Sequence, residues 1–149
     1  MINVGIIGFG AMGQLRAKTI EETGLGKVQM VFDVNTTQNM NVNIASSSEE
    51  IFKNDNIDSI FICTPNHLNK KLTIQGLKAG KHIFCEKPPA FNESEVEEII
   101  EVEKSSGKKL IYGFNHRHHD SIIMIKELVD NGTYGEILWM RGRYGKSVD

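Results

Sequence analysis

Ile2-Asn3-Val4-Gly5-Ile6-Ile7-Gly8-Phe9-Gly10-Ala11-Met12-Gly13 follows Met1, and its reading decides the fold. Ile2 to Ile7 is an apolar run interrupted only by Asn3 and Gly5. Such a run suits a strand buried on both faces, as in a parallel sheet. Glycines come at once, and a helical pattern takes over from about Met12 to Glu22. Strand, glycine turn and helix therefore succeed one another without a linker.

Within that turn, Gly8-Phe9-Gly10-Ala11-Met12-Gly13 has the spacing G-x-G-x-x-G, and each glycine has its own physical reason. Gly8 permits the tight turn out of the strand. Gly10 lets a pyrophosphate approach the backbone, with Phe9 and Met12 beside it. Gly13 lets the helix pack close to the sheet. A phosphate would face the free N–H groups and positive dipole end of the helix. Glycine turns are common, so the spacing alone is weak; its place between a strand and a helix is the context that gives it weight. Asp33 ends the next strand pattern, Val28 to Phe32. A carboxylate there can accept hydrogen bonds from adenosine ribose hydroxyls and would repel a 2′-phosphate. No Arg or Lys follows closely to receive one, so the pattern favours NAD over NADP.

Outward from this unit, strand and helix patterns alternate. Ile57–Cys63, Lys81–Cys85 and Lys108–Gly113 read as strands, separated by helical patterns over Leu68–Ala79 and Glu93–Ser105. Asn92 with Glu95 resembles a capping box, acidic residues fill the first turns and Lys104 sits near the end. Val96, Ile99 and Ile100 share one face of that helix. Alternation at this spacing predicts right-handed crossovers and a mostly parallel α/β sheet with helices on both faces. The polar stretch Asn35–Ser48 reads as a loop with a short strand around Val42–Ala45 and a shortened or missing crossover helix. After Gly113 the texture changes. Ser121–Asn131 reads as a helix closed by Gly132, and Glu136–Tyr144 as a strand. The expected organisation is a Rossmann-type domain over 1–117, then the first helix and strand of a truncated second domain over 118–149.

Composition narrows the function. The chain has 149 residues and 40% apolar content, enough for a buried core. No stretch approaches the ~18–20 apolar residues of a membrane span, and no basic n-region precedes the first strand. A cytoplasmic location is the default expectation. With 17 basic and 19 acidic residues, net charge −2, the chain lacks the basic character of a dedicated nucleic-acid binder. Cys63 and Cys85 have neither disulfide-framework nor zinc-site spacing and read as small buried residues at strand ends. His116, His118, His119 and Asp120 cannot all face one side of a helix, so no metal site is expected.

Ligands of open parallel sheets bind beyond the carboxyl ends of the strands. Those ends carry Thr64-Pro65-Asn66-His67, Glu86-Lys87-Pro88-Pro89 and Gly113-Phe114-Asn115-His116-Arg117. Together with the glycine loop, Gly80-Lys81-His82 and Gly135-Glu136-Ile137, these motifs span nearly the whole chain. The chain resembles the family named for glucose–fructose oxidoreductase, inositol dehydrogenase and the rhizopine-catabolism protein. The later runs Asn115 to His119 and Arg141 to Gly145 resemble members acting on sugars or nucleotide sugars.

The resemblance implies roles residue by residue. Lys87 falls on the family's Glu-Lys-Pro lysine and is expected near the nicotinamide, orienting or polarising a substrate hydroxyl. A positive charge there would stabilise a developing alkoxide. Pro88 is a candidate cis proline aiming Lys87. Glu86 would hold either the cofactor amide or the turn. Thr64, Pro65, Asn66 and His67 would line the cofactor crevice, and Asn115 and Arg117 match positions close to nicotinamide and substrate. Members often carry His where Asn69 stands, which alters the hydrogen bonding expected there. The family's catalytic Asp/His pair, of the form Asp-x-x-x-His, is absent from these 149 residues.

The implied activity is hydride transfer between NAD and a sugar or nucleotide-sugar hydroxyl, with this chain binding cofactor and turning nothing over alone. The alternative is a non-catalytic dinucleotide-binding sensor, and Lys87 argues against it, because a sensor has no use for a lysine there. The apolar segment Ile137-Leu138-Trp139-Met140 would be a sticky strand edge, so pairing with another copy of the chain is expected.

Overall fold

The computed structural model describes residues 1–35, 42–143 and 145, in two compact units, Met1–Gly113 and Phe114–Asp149. The first unit is a six-stranded parallel sheet. Its strands are β1 (Ile2–Ile7), β2 (Gly26–Phe32), β3 (Asn43–Ile44), β4 (Ser59–Ile62), β5 (His82–Cys85) and β6 (Leu110–Tyr112). Their order is β3-β2-β1-β4-β5-β6. Strand order reverses between β1 and β4, the point beyond whose carboxyl ends open parallel sheets bind their ligands.

β1 is central because it is apolar on both faces: Val4 and Ile6 point one way, Ile7 the other, and all three are buried. Helix α1 (Ala11–Thr23) covers one face, where Ile20 and Ala17 meet Val4, Ile6, Val28 and Val31. The short α2 (Ser48–Lys53) and α3 (Asn66–Lys78) cover the other, closing Ile51, Phe52, Leu72 and Leu77 over Ile7, Ile60, Ile62 and Ile83. α4 (Glu93–Ser106) packs against α3. The sheet is thus helical on both faces, as the alternation predicts.

Differences from the sequence reading are local. Strands are shorter than their apolar runs: Ile57 is buried in the turn before β4, and Lys108–Lys109 precede β6. β3 lies where a short strand was expected, with Ala45 N–H donating to Val31 O at 2.8 Å. The crossover from β3 to β4 contains α2, which the sequence reading did not identify. Its signal is a capping box: the Ser47 hydroxyl accepts from Glu50 N–H (3.4 Å) while the Glu50 carboxylate accepts from Ser46 N–H (2.7 Å). Residues 36–41 lie outside the described residues. In α4 the Asn92 side chain accepts from Glu95 N–H (3.0 Å), and Glu95 reaches back to Phe91 N–H (2.9 Å). Of the expected apolar face, Ile99 is buried but Ile100 is exposed, because the stripe facing the core runs through Val96, Ile99 and Val102.

Lys81 is a buried lysine with a structural task. Its ammonium donates to Asn54 O (2.7 Å) and Ile57 O (2.8 Å), satisfying carbonyls in the turn between α2 and β4.

The second unit holds a 3₁₀ turn over Asn115–His118 and helix α5 (Asp120–Asp130), with Gly132 in the left-handed region at φ 62° just beyond it. His116 and His118 therefore lie on the 3₁₀ turn and not on the helix. The strand expected over Glu136–Tyr144 is absent from its described residues, 136–143. An extended segment becomes a strand only when its N–H and C=O groups find a ladder, and this segment pairs with no described residue. Tyr144 lies outside the described residues. Among the described residues no helix is long and apolar enough to cross a membrane.

Candidate functional site

The turn from β1 into α1 separates its three glycines by what a side chain would meet. Gly8 sits at φ +88°, and a Cβ there would lie 2.5 Å from Cys63 O. Its N–H donates to Phe32 O (2.8 Å), so the turn is stitched to the end of β2. A Cβ on Gly13 would run into the carbonyl oxygen of Gly8. Gly10 differs: a Cβ there would meet nothing within 4 Å. Two glycines are required by the fold, and the third faces open space.

That space adjoins the start of α1. Gly10 is its N-cap, with no side-chain cap and no acidic residue in the first turn. The first intrahelical bond is Gln14 N–H to Gly10 O (3.0 Å). The N–H groups of Ala11, Met12 and Gly13 precede it and have no helical carbonyl four residues back. An uncapped helix start free of negative charge suits an anion.

Asp33 leaves the end of β2 and points back toward this turn. Its Oδ2 accepts from Phe9 N–H (2.6 Å) and its Oδ1 from Asn35 N–H (2.8 Å). Each carboxylate oxygen keeps a further lone-pair direction for a hydroxyl. The acid is partly buried and positioned by the same backbone that forms the turn.

Beyond β4, Cys63 N–H donates to Ile7 O (2.8 Å) and Thr64 follows. Pro65, Asn66 and His67 are exposed at the start of α3. The Thr64 hydroxyl donates to Asn69 Oδ1 (3.2 Å). Asn69 is fully buried, and its amide nitrogen donates to Glu86 O (3.0 Å) and Pro88 O (2.9 Å). The hydrogen bonding that the Asn at this position put in question is thus complete.

Beyond β5 lies Glu86-Lys87-Pro88, with a cis peptide between Lys87 and Pro88. Lys87 is exposed and Glu86 buried. The Glu86 carboxylate receives the Arg16 guanidinium, Nε at 2.8 Å and Nη2 at 2.5 Å, and Arg16 lies over the Phe84 ring (4.9 Å). A Cβ on Gly113 would approach Glu86 Oε2 to 2.9 Å, so the glycine after β6 makes room for this acid. The Glu86 carboxylate thereby ties the loop after β5 to α1. Asn115 and Arg117 belong to the second unit, where the Arg117 guanidinium stands 5.6 Å from the Phe114 ring.

The first unit therefore gathers Gly8, Phe9, Gly10, Met12, Gly13, Asp33, Thr64 to His67, Glu86 and Lys87 along the carboxyl edge of one sheet. Arg16, Asn69 and Lys81 are the side chains whose tasks sequence reasoning missed. The thiols beside the site are chemically quiet: burial pushes Cys63 up to about 12, with the Glu86 charge adding to it, and burial pushes Cys85 up to about 12 as well. Among the described residues no three His, Cys, Asp or Glu side chains gather to hold a metal ion.

Comparison with known proteins identifies the family. Residues 2–114 match the model of an oxidoreductase family with an NAD-binding Rossmann fold. The chain is 30% identical over 142 residues to myo-inositol 2-dehydrogenase of Thermotoga maritima, covering 91% of this chain and 42% of that protein. It is 28% identical to 2,7-anhydro-N-acetylneuraminate hydratase of Escherichia coli, covering 93% of this chain and 38% of the relative. Among solved structures it superposes on scyllo-inositol dehydrogenase from Lactobacillus casei with bound NAD(H) and scyllo-inositol. That match has TM-score 0.82 and 28% identity, covering 91% of this chain and 43% of the other. The chain thus spans about two fifths of the length of these relatives.

Proposed function

The chain belongs to the oxidoreductase family with an NAD-binding Rossmann fold, and from that premise we propose that it supplies the cofactor half of a polyol or sugar dehydrogenase. The observation that carries the proposal is the open backbone at Gly10 beside an uncapped helix start, with Asp33 turned toward the same loop. These residues fit a dinucleotide. The α1 N–H groups would receive the diphosphate, Gly10 would let it approach, and the free lone pairs of Asp33 would accept the adenosine ribose hydroxyls. A 2′-phosphate would stand against the Asp33 carboxylate, so NAD is the expected form.

Hydride acceptance and donation are chemistry that the bound nicotinamide supplies. The chain's own contribution at the reacting end is Lys87. Its exposed ammonium would hold the substrate hydroxyl and stabilise negative charge on that oxygen as its proton leaves. The inositol substrates named for two of the relatives support a polyhydroxylated, sugar-like substrate class. The relative named as a hydratase warns that the net reaction varies while the cofactor half persists. Proton removal needs a base, and we expect this chain alone to bind NAD without turnover. We also propose that residues 137–140 pair with another copy of the chain; a strictly monomeric chain by sedimentation would count against that.

Titration calorimetry with NAD and with NADP tests the cofactor reading. The expected result is saturable NAD binding, with NADP weaker by about tenfold, the equivalent of ~1.4 kcal/mol. Tighter binding of NADP would defeat the role given to Asp33.

A further inference from the structure

We infer that Asn69 is the positioning residue for Lys87, acting through the two carbonyls that flank it; the inference rests on the cofactor reading above. β5 ends at Cys85, so the carbonyls of Glu86 and Pro88 lie beyond the ladder. Carbonyl oxygens only accept. A buried group that serves both must carry two N–H bonds on one atom, and a primary amide does. Asn69 Nδ2 lies 3.0 Å from Glu86 O and 2.9 Å from Pro88 O. The Cys85 thiol adds a weak contact to Glu86 O at 3.4 Å.

The orientation of the amide is fixed by the same logic. Nitrogen must face the two carbonyls, which leaves Oδ1 to accept from the Thr64 hydroxyl at 3.2 Å. Every polar atom of the side chain is then engaged, and the residue has no exposure to water. Lys87 sits between the two clamped carbonyls with its own side chain exposed. The backbone on either side of the lysine is thereby fixed from α3 while its side chain is exposed. Geometry is what a charge-stabilising lysine must have, since a displacement of ~1 Å can cost about a hundredfold in rate.

A histidine in place of Asn69 points one N–H in any one direction and cannot offer two donors from a single atom. The asparagine clamp predicts a loop held from both sides of Lys87.

A footprint on the chain itself tests this. Lys87 is acetylated with an N-hydroxysuccinimide ester and quantified by peptide mass spectrometry, with and without saturating NAD, and NAD affinity is measured in parallel. The proteins are wild type, Asn69→Ala, the near-isosteric Asn69→Asp, and Ile99→Val as a control that loosens the core elsewhere. In wild type and the control, NAD is expected to slow Lys87 acetylation by about fivefold or more. Loss of two hydrogen bonds in the Asn69 variants should reduce that protection to under about twofold. NAD affinity should stay within about threefold, because the adenosine and diphosphate contacts lie on α1 and β2. Full protection of Lys87 in either folded Asn69 variant overturns the inference. Loss of protection in Ile99→Val as well would also overturn it, since a generally loosened core would then explain the effect. Wild-type NAD binding without protection of Lys87 refutes the placement of Lys87 at the nicotinamide. No NAD binding by wild type removes the cofactor reading and this inference with it.

Discussion

Replacing Gly10 by alanine should separate binding from folding. The new methyl meets nothing of the chain within 4 Å, and the backbone there, φ −68° and ψ −162°, is ordinary for any residue. The cost to folding is that of an alanine N-cap, within about 1 kcal/mol of wild type. The same methyl would occupy the surface on which the diphosphate is proposed to lie. Pushing a ligand off by a methyl radius, or forcing side chains to yield, costs ~1–3 kcal/mol, so NAD affinity should fall about tenfold to a hundredfold. Gly8→Ala and Gly13→Ala should behave oppositely. Alanine at Gly8 must adopt φ +88°, a strain of ~1–2 kcal/mol. Its Cβ also presses on Cys63 O at 2.5 Å. At Gly13 the methyl collides with Gly8 O, and the helix must move away from the sheet. Each should lose about 2–4 kcal/mol of stability. Urea unfolding and NAD calorimetry on the three variants read both quantities. A Gly10→Ala protein that binds NAD within about threefold of wild type would refute the reasoning, because nothing would then lie against that backbone.

Other substitutions report on the supporting contacts. Lys81→Met keeps the aliphatic stem but strands the carbonyls of Asn54 and Ile57; it should cost about 2–4 kcal/mol in urea unfolding, and a change under about 0.5 kcal/mol would sink the structural task given to that lysine. Arg16→Ala leaves Glu86 without the partner that meets it at 2.5 Å. With both side chains slightly exposed, about 2–3 kcal/mol is expected, below the full cost of breaking a buried pair, and the double variant Arg16→Met with Glu86→Leu should recover part of it. Cys63 and Cys85, each pushed up to about 12 by burial, should resist iodoacetamide near pH 8 in the folded chain and react once urea unfolds it. The sign follows from the thiol, not the thiolate, being the native form at that pH; rapid native alkylation would contradict it.

What could be read from sequence shares one property: the chemistry is local. Gly8, Gly10 and Gly13 lie within one turn, and Asp33 ends the very next strand, so spacing alone relates them. Buried strands were legible because β1, β4 and β5 are apolar on both faces. Their ends were not, because a strand stops where its neighbour's ladder stops, and Ile57 is apolar for a different reason from Ile60. The six-residue α2 was lost in a polar stretch too short to show a helical period. Residues 136–143 have strand composition, but a strand is a pairing and composition cannot supply one. Arg16, Asn69 and Lys81 were missed because their partners lie 70, 17 and 27 residues away. No pattern along the chain marks a lysine or asparagine as the donor for a distant carbonyl.

Those distant contacts bear on the proposed chemistry more than their number suggests. The proposed diphosphate seat belongs to β1, β2 and α1, while Lys87 belongs to the loop after β5. Two features tie these halves across the point where strand order reverses. Gly8 packs against the Cys63 carbonyl, and Arg16 on α1 reaches Glu86, the residue before Lys87. Asn69 then fixes the far side of the same loop from α3. The backbone around Lys87 is therefore tied by the fold to the elements that carry the proposed dinucleotide seat. Holding the loop backbone in advance would leave only the Lys87 side chain to be ordered as charge develops. On this reasoning Arg16 and Asn69 would bear on the proposed hydride transfer through the backbone on either side of Lys87.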